Sequence, residues 1–190
     1  MSMRVVAGTA RGLRLMAPEG RGTRPTTERV REATFNALGS LGAVEGARVL
    51  DAFAGSGALG IEALSRGAAH CTFVDADRVA RAAVEANLAT TRLAEGAKVV
   101  NGDAATFLAR SEDRWDLVLL DPPHAGTDWA ALLGVVAGAL APDALVVAES
   151  DRTVIDEAEG DGTWSVLREK RYGGTVVQMI SARPTSESAP

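Results

Sequence analysis

The residues best suited to chemistry stand together at Asp121-Pro122-Pro123-His124. They end Leu117-Val118-Leu119-Leu120, an unbroken apolar run of the kind that forms a central strand covered on both faces. A Pro-Pro pair cannot continue a strand ladder, so the chain turns there and projects the Asp121 carboxylate and the Pro122 carbonyl beyond the strand end. Two adjacent acceptors suit an amino group on an aromatic ring. The lone pair of that nitrogen is delocalised into the ring, which makes it a poor nucleophile. Acceptors aimed at its two N–H bonds hold it nearer to tetrahedral geometry and turn the lone pair toward an electrophile, and positioning supplies much of the acceleration. Pro123 stiffens the turn, and His124 offers a planar ring that can stack on a base. The alternative is an ordinary Asp-Pro-Pro turn.

A second group precedes it. Asp51-Ala52-Phe53-Ala54-Gly55-Ser56-Gly57-Ala58-Leu59-Gly60 follows a strand pattern and opens a helix pattern. Its glycines allow a tight turn and a close approach of the backbone to a ligand. The string Gly55-x-Gly57-x-x-Gly60 also fits a dinucleotide fingerprint. Two features favour S-adenosylmethionine instead. Asp51, at the strand end, suits the cationic amino-acid end of that molecule, directly or through water, and would repel a pyrophosphate. The Asp-Pro-Pro group then provides for the methyl acceptor. Phe53, Gly55, Ser56 and Gly57 are expected along this cofactor, with S-adenosylhomocysteine as its product. Asp75, next to Ala76 at the end of the second strand, is placed to accept hydrogen bonds from ribose hydroxyls, as in dinucleotide enzymes too. Asp103 can accept from the adenine amino group, with Ala104 supplying an amide, or can simply cap a helix. Asp77 is read as a cap.

Alternating elements must position these groups. Strands are expected over 48–52, 70–75, 97–101, 115–120, 144–149, 163–169 and 175–181, with helices over 27–41, 57–66, 77–93, 103–110, 128–140 and 152–159. This order predicts a doubly wound, Rossmann-like α/β sheet. Only Tyr172-Gly173-Gly174 separates the last two strands, so they should form an antiparallel hairpin at one end of the sheet. Residues 4–7 and 13–17 flank a glycine turn and read as a short β-hairpin or extended arm. The chain thus divides into a basic N-terminal extension (1–42), a catalytic domain (43–182) and a disordered tail (183–190).

The net charge of −5 argues against a generic nucleic-acid binder, but it is unevenly spread. Residues 1–35 carry seven Arg (Arg4, Arg11, Arg14, Arg21, Arg24, Arg29, Arg31) against three Glu (Glu19, Glu28, Glu32), a net of +4. Such asymmetry fits an arm that meets a polyanion, or a merely solvated extension. The single Cys71 excludes an internal disulfide and reads as a core residue. Trp115, Trp129 and Trp164 also read as core. Glu149 could face the crevice or the surface. No His/Cys/carboxylate spacing suggests a metal site. No run is apolar and long enough to span a bilayer, and no signal-peptide pattern opens the chain, so a cytoplasmic monomer is expected.

From about residue 3 to 182 the chain resembles the bacterial 16S rRNA guanine-N2 methyltransferase family of the RsmD type. The resemblance rests on Arg24-Pro25-Thr26-Thr27-Glu28-Arg29-Val30-Arg31-Glu32 with Phe35-Asn36, on Phe53 through Gly67, and on Asp121-Pro122-Pro123. It implies a seven-stranded class I methyltransferase fold, S-adenosylmethionine as donor, and a guanine of small-subunit rRNA as acceptor, presented on an assembling subunit. It also implies that the arginine-rich segment grips RNA through Arg24, Arg29 and Arg31, with Arg11 of the same arm grouped with them. Surface pairing of these arginines with Glu28 or Glu32 is the alternative. One departure stands out: the family usually carries Tyr or Phe where this chain has His124, a smaller ring that titrates near neutral pH when unperturbed. Other readings are an amino-methyltransferase acting on adenine N6, a nicotinamide-dependent oxidoreductase, and a non-catalytic RNA-binding assembly factor.

Overall fold

The apolar runs fold as seven strands: β1 (Arg48–Asp51), β2 (His70–Asp75), β3 (Ala97–Asn101), β4 (Trp115–Leu120), β5 (Leu140–Ser150), β6 (Trp164–Tyr172) and β7 (Thr175–Ala182). The helices are α1 (Thr26–Ser40), α2 (Ala58–Ser65), α3 (Arg78–Thr91), α4 (Ala104–Arg110) and α5 (Trp129–Ala137). This computed structural model describes residues 3–18, 26–123, 126–156 and 162–183.

All seven strands join one sheet of order β3-β2-β1-β4-β5-β7-β6. The first five run parallel, and β7 pairs antiparallel with both β5 and β6. The terminal hairpin therefore lies where its short turn requires, with β6 at the edge. This is a doubly wound, Rossmann-like sheet with an antiparallel hairpin at one end. Strand order reverses between β1 and β4, which are neighbours with Asp51 opposite Leu119. The glycine loop and the Asp-Pro-Pro turn thus leave the sheet side by side at the topological switch point, where open α/β sheets bind ligands.

Two apolar layers sandwich the sheet. On one face α1, α2 and α3 contribute Phe35, Leu38, Ile61 and Val84 against Val49, Phe73 and Leu117. On the other, α4 and α5 place Leu108, Leu132 and Val136 against Leu50, Val118 and Val146. Cys71 and the three tryptophans are buried. Burial pushes the Cys71 thiol well up, as suits an inert core sulfur.

The N-terminal arm folds back on itself at an antiparallel bridge between Arg4 and Arg14, with Val5 N donating to Leu13 O (3.0 Å), Leu15 N to Met3 O (2.8 Å) and Gly12 N to Val5 O (2.8 Å). Side chains of the α/β layers, with the Ser65 carbonyl accepting Thr9 N at 2.8 Å, tie the arm down. The wholly buried Glu62 accepts the amides of Val6 (2.8 Å) and Ala7 (3.0 Å). Ser65 Oγ donates to Ala7 O (2.6 Å) and accepts from Ala10 N (3.0 Å). Asn87 accepts from Met16 N (2.7 Å) and donates to Met16 O (2.9 Å). At Gly8 (φ +83°) a Cβ would fall 1.8 Å from Ser65 O, so only glycine lets the arm lie this close. Val5, Ala10 and Leu15 of the arm belong to the same apolar cluster as the strands.

The helix expected over 152–159 does not form in its described part, 152–156, which is irregular. The buried Gln178 supplies the reason. Its Oε1 accepts both Val154 N (2.8 Å) and Ile155 N (2.9 Å), and its Nε2 donates to Ile155 O (2.8 Å). A side chain on β7 thereby ties this backbone to the sheet and occupies the Ile155 carbonyl, which an intrahelical bond would have needed. β5 also starts at Leu140, earlier than expected, and α5 stops at Ala137. The added part of β5 contains an irregularity in its pairing with β4, since Leu140 pairs with Trp115 and Leu145 with Leu117.

Candidate active site

Beyond the carboxyl ends of β1–β5 lies a cavity of about 840 Å³. Its β1–β3 side is built by carboxylates that accept backbone amides. Asp75 Oδ2 takes the Gly55 amide and Oδ1 the Asp77 amide, both at 2.9 Å. Asp103 caps α4 by accepting Thr106 N at 2.9 Å, and Asp77 caps α3 by accepting Val79 N at 2.8 Å. Phe53, Gly55, Ser56, Asp75, Ala76, Asp103 and Ala104 all line the cavity. Asp103 is therefore both a helix cap and a wall residue, so the two sequence readings are compatible.

Asp51 and Gly57 lie beneath this wall rather than in it. Asp51 is wholly buried, and its Oδ2 accepts the Gly60 amide at 2.9 Å, pinning the start of α2 to the end of β1. Burial raises its pKa, the Gly60 bond opposes that, and Asp121 and Asp75 raise it further, to about 7. A direct contact between Asp51 and a ligand is thus not what the geometry offers. Gly57 adopts φ +77° as the chain enters α2. Gly60 meets the sheet so closely that a Cβ would fall 2.3 Å from Phe73 Cε1 and 2.6 Å from Cys71 Sγ.

The β4–β5 side carries Asp121, Pro122 and Pro123, all lining the same cavity. His124 lies outside the described residues. Glu149, left open by the sequence, also lines the cavity, one register step past the pair Leu120 and Ala148 and hence beside Asp121. Burial raises its pKa, the Asp121 charge raises it further, Arg31 pulls it down, and the balance lies at about 8. Of the two sequence readings of Glu149, the crevice and the surface, the structure shows the first.

The basic residues separate. Arg11 and Arg29 are exposed, and Arg24 lies outside the described residues. Arg31, expected among the RNA-gripping residues, is buried (3% exposed). Its Nη2 donates to Arg4 O, and its Nε lies 3.5 Å from Glu62. The burial that brings Arg31 beside Glu62 also removes it from the outer surface. It faces inward, where it joins Val30, Met3, Ala17 and Pro18 in lining the cavity. The arm is thus one wall of the site.

Among the described residues, the cavity lining holds five acids (Asp75, Asp77, Asp103, Asp121, Glu149) and one base, Arg31. That balance disfavours a pyrophosphate and suits a ligand with cationic sulfonium and ammonium groups. The carboxylates beside Gly55 and at the start of α4 also match ribose and adenine donors, so these residues fit S-adenosylmethionine. Among the described residues no cluster could hold a metal ion, and no helix is long and apolar enough to cross a membrane.

Residues 3–181 match the family described as Conserved hypothetical protein 95. The chain is 42% identical over 187 residues to YlbH of Bacillus subtilis (strain 168), covering 95% of this chain and all of that one. It is 38% identical over 193 residues to ribosomal RNA small subunit methyltransferase D of Escherichia coli (strain K12), covering 98% and 93%. The solved structure of yhhF from Escherichia coli superposes with a TM-score of 0.82 at 38% identity, covering 96% of this chain and 98% of that one. Related along nearly its whole length to these proteins, the chain belongs to the ribosomal RNA small subunit methyltransferase D family, described as Conserved hypothetical protein 95.

Proposed function

We propose that this protein transfers a methyl group from S-adenosylmethionine to the exocyclic N2 of a guanine in 16S rRNA of the small ribosomal subunit. One observation carries the reading: a single cavity joins the glycine loop, Asp75 and Asp103 to the Asp121-Pro122-Pro123 turn. The family relationship supports rRNA as the substrate, since the Escherichia coli relative is named a small-subunit rRNA methyltransferase.

In this reading Asp75 holds the ribose, Asp103 and the Ala104 amide hold the adenine, and Phe53, Gly55, Ser56 and Ala76 pack along the cofactor. Gly57 and Asp51 shape the loop from below. The bound cofactor supplies an electrophilic methyl group. Asp121 accepts one N–H of the guanine amine and the Pro122 carbonyl accepts the other, which fixes the direction of the nitrogen lone pair. The surplus proton of the methylated amine passes to Asp121 or to water. Pro123 keeps the turn rigid, and His124 is assigned the stacking position on the base. Arg11, Arg24 and Arg29 remain for the RNA backbone, while Arg31 braces the cavity wall.

The test is methyl transfer from labelled S-adenosylmethionine to small-subunit particles from cells lacking this protein, with digestion to nucleosides. N2-methylguanosine is expected, and Asp121→Ala should reduce its formation by roughly 100-fold or more with cofactor binding kept. N6-methyladenosine as the product would replace guanine by adenine. Equally poor transfer by parent and variant would make the chain an RNA-binding factor, and calorimetric binding of NAD in place of S-adenosylmethionine would overturn the donor.

A further inference from the structure

A second cavity, of about 300 Å³, lies between α1 and the β6–β7 hairpin. We propose that it is the docking track for the single-stranded RNA flanking the nucleotide inserted into the active site, with Arg168 and Lys170 taking its phosphates and Tyr172 packing against its sugar or base. This rests on the RNA-methyltransferase reading and extends it to a surface that the N-terminal arginines do not include.

The alternation of β6 creates the surface. Arg168, Lys170 and Tyr172 share one face and line the cavity. Glu169 and Arg171 point to the other, where they pair with each other at 3.4 Å and with Thr153 at 3.2 Å and 2.7 Å. One face thus spends its charges internally. The other presents two exposed cations, and no acidic residue is among the described residues lining the cavity. In a chain of net charge −5, such a one-sign pocket fits a polyanion.

Continuity with the active site fixes which polyanion. Arg168 is opposite Met179, Lys170 opposite Val177 and Tyr172 opposite Thr175. Met179 and Val177 line the second cavity, while Thr175 lines the first. On α1, Arg31 borders the first cavity, and Thr34 and Ala37, about one and two turns on, border the second. One face of the hairpin and one side of α1 therefore run together from the base-receiving pocket to the cationic cavity. The strand path from Tyr172 to Arg168 is about 13 Å, the reach of a short run of nucleotides. Phosphate contacts of this kind set position and register, and an aromatic ring beside them stacks without reading sequence.

The test compares the parent with Arg168→Ala/Lys170→Ala and with the charge-keeping Arg168→Lys/Lys170→Arg. Binding to protein-free small-subunit rRNA and to unmethylated small-subunit particles is followed over a salt series, beside calorimetric titration with S-adenosylmethionine. The alanine pair should weaken RNA binding about tenfold and lower the log–log salt slope by roughly 1–2, with cofactor affinity and the rate at saturating RNA unchanged. The charge-keeping pair should restore both. Parent-like RNA affinity and salt slope in the alanine pair, with a parent that does bind RNA, would overturn the track alone. Weaker binding to particles only, with an unchanged slope on bare rRNA, would assign the surface to a protein of the particle and likewise overturn it. A parent that binds neither substrate would sink the RNA-methyltransferase reading itself.

Discussion

The two sides of the active-site cavity hold their carboxylates by different means. On the β1–β3 side Asp75, Asp77 and Asp103 each accept backbone amides within a few residues of a loop or helix start. These bonds fix the shape of the loops and the direction of each carboxylate before any ligand arrives. On the β4–β5 side, Glu149 stands in a partly buried position beside Asp121, with Arg31 as the countercharge. The first side is a rigid cradle. The second concentrates negative charge where desolvation penalises it, which is where groups suited to holding and releasing protons are found.

Substitutions can break this contrast. The largest effect is expected at Asp121: alanine should cut the methyl-transfer rate at saturating substrates by about 100- to 1,000-fold, some 3–4 kcal/mol, while leaving cofactor affinity nearly unchanged. Asp75→Ala should do the reverse. Loss of charged hydrogen bonds worth about 1.5–3 kcal/mol would weaken S-adenosylmethionine binding roughly 10- to 100-fold by calorimetry, with the rate at saturating cofactor preserved. A smaller effect belongs to the cradle's foundation. Gly60→Ala forces a Cβ against Phe73 and Cys71 and should cost about 1–3 kcal/mol, read as a melting temperature lower by roughly 2–4 °C per kcal/mol.

The mildest change sharpens the comparison through pH. The Glu149 carboxyl is raised from 4.5 to about 8 in the folded chain, so its contribution to stability is full below about pH 4.5 and is lost as pH rises through about 8. Asp51, raised from 3.8 to about 7, acts in the same direction up to that pH. Glu149→Gln should therefore show a shallower fall of melting temperature between roughly pH 5 and 8 than the parent, without abolishing it. An identical slope in the two proteins would remove Glu149 from this account.

Much of this was legible in the sequence because it is local. Glycine spacing, the apolar run before Asp121 and the short turn after Tyr172 each dictate a nearby backbone path, and the sheet follows from their order. What was not legible depends on partners distant along the chain. Arg31 belongs to a recognisable arginine-rich string, yet its burial is decided by Glu62 on another helix. Asp51 has the right type and place for a ligand contact, but its orientation is decided by the Gly60 amide. The alternation of elements predicts a helix over 152–159, but in its described part Gln178 on β7 holds the Val154 and Ile155 backbone instead. Glu149 became a site residue only once β5 was seen to lie beside β4.

The most direct measurement is a structure of the protein with S-adenosylhomocysteine bound. Ribose hydroxyls are expected on Asp75, adenine against Asp103 and Ala104, and the sulfur turned toward the Asp121-Pro122 edge across open space wide enough for a base. A ligand lodged elsewhere, or one whose sulfur points away from Asp121, would contradict the proposed methyl transfer.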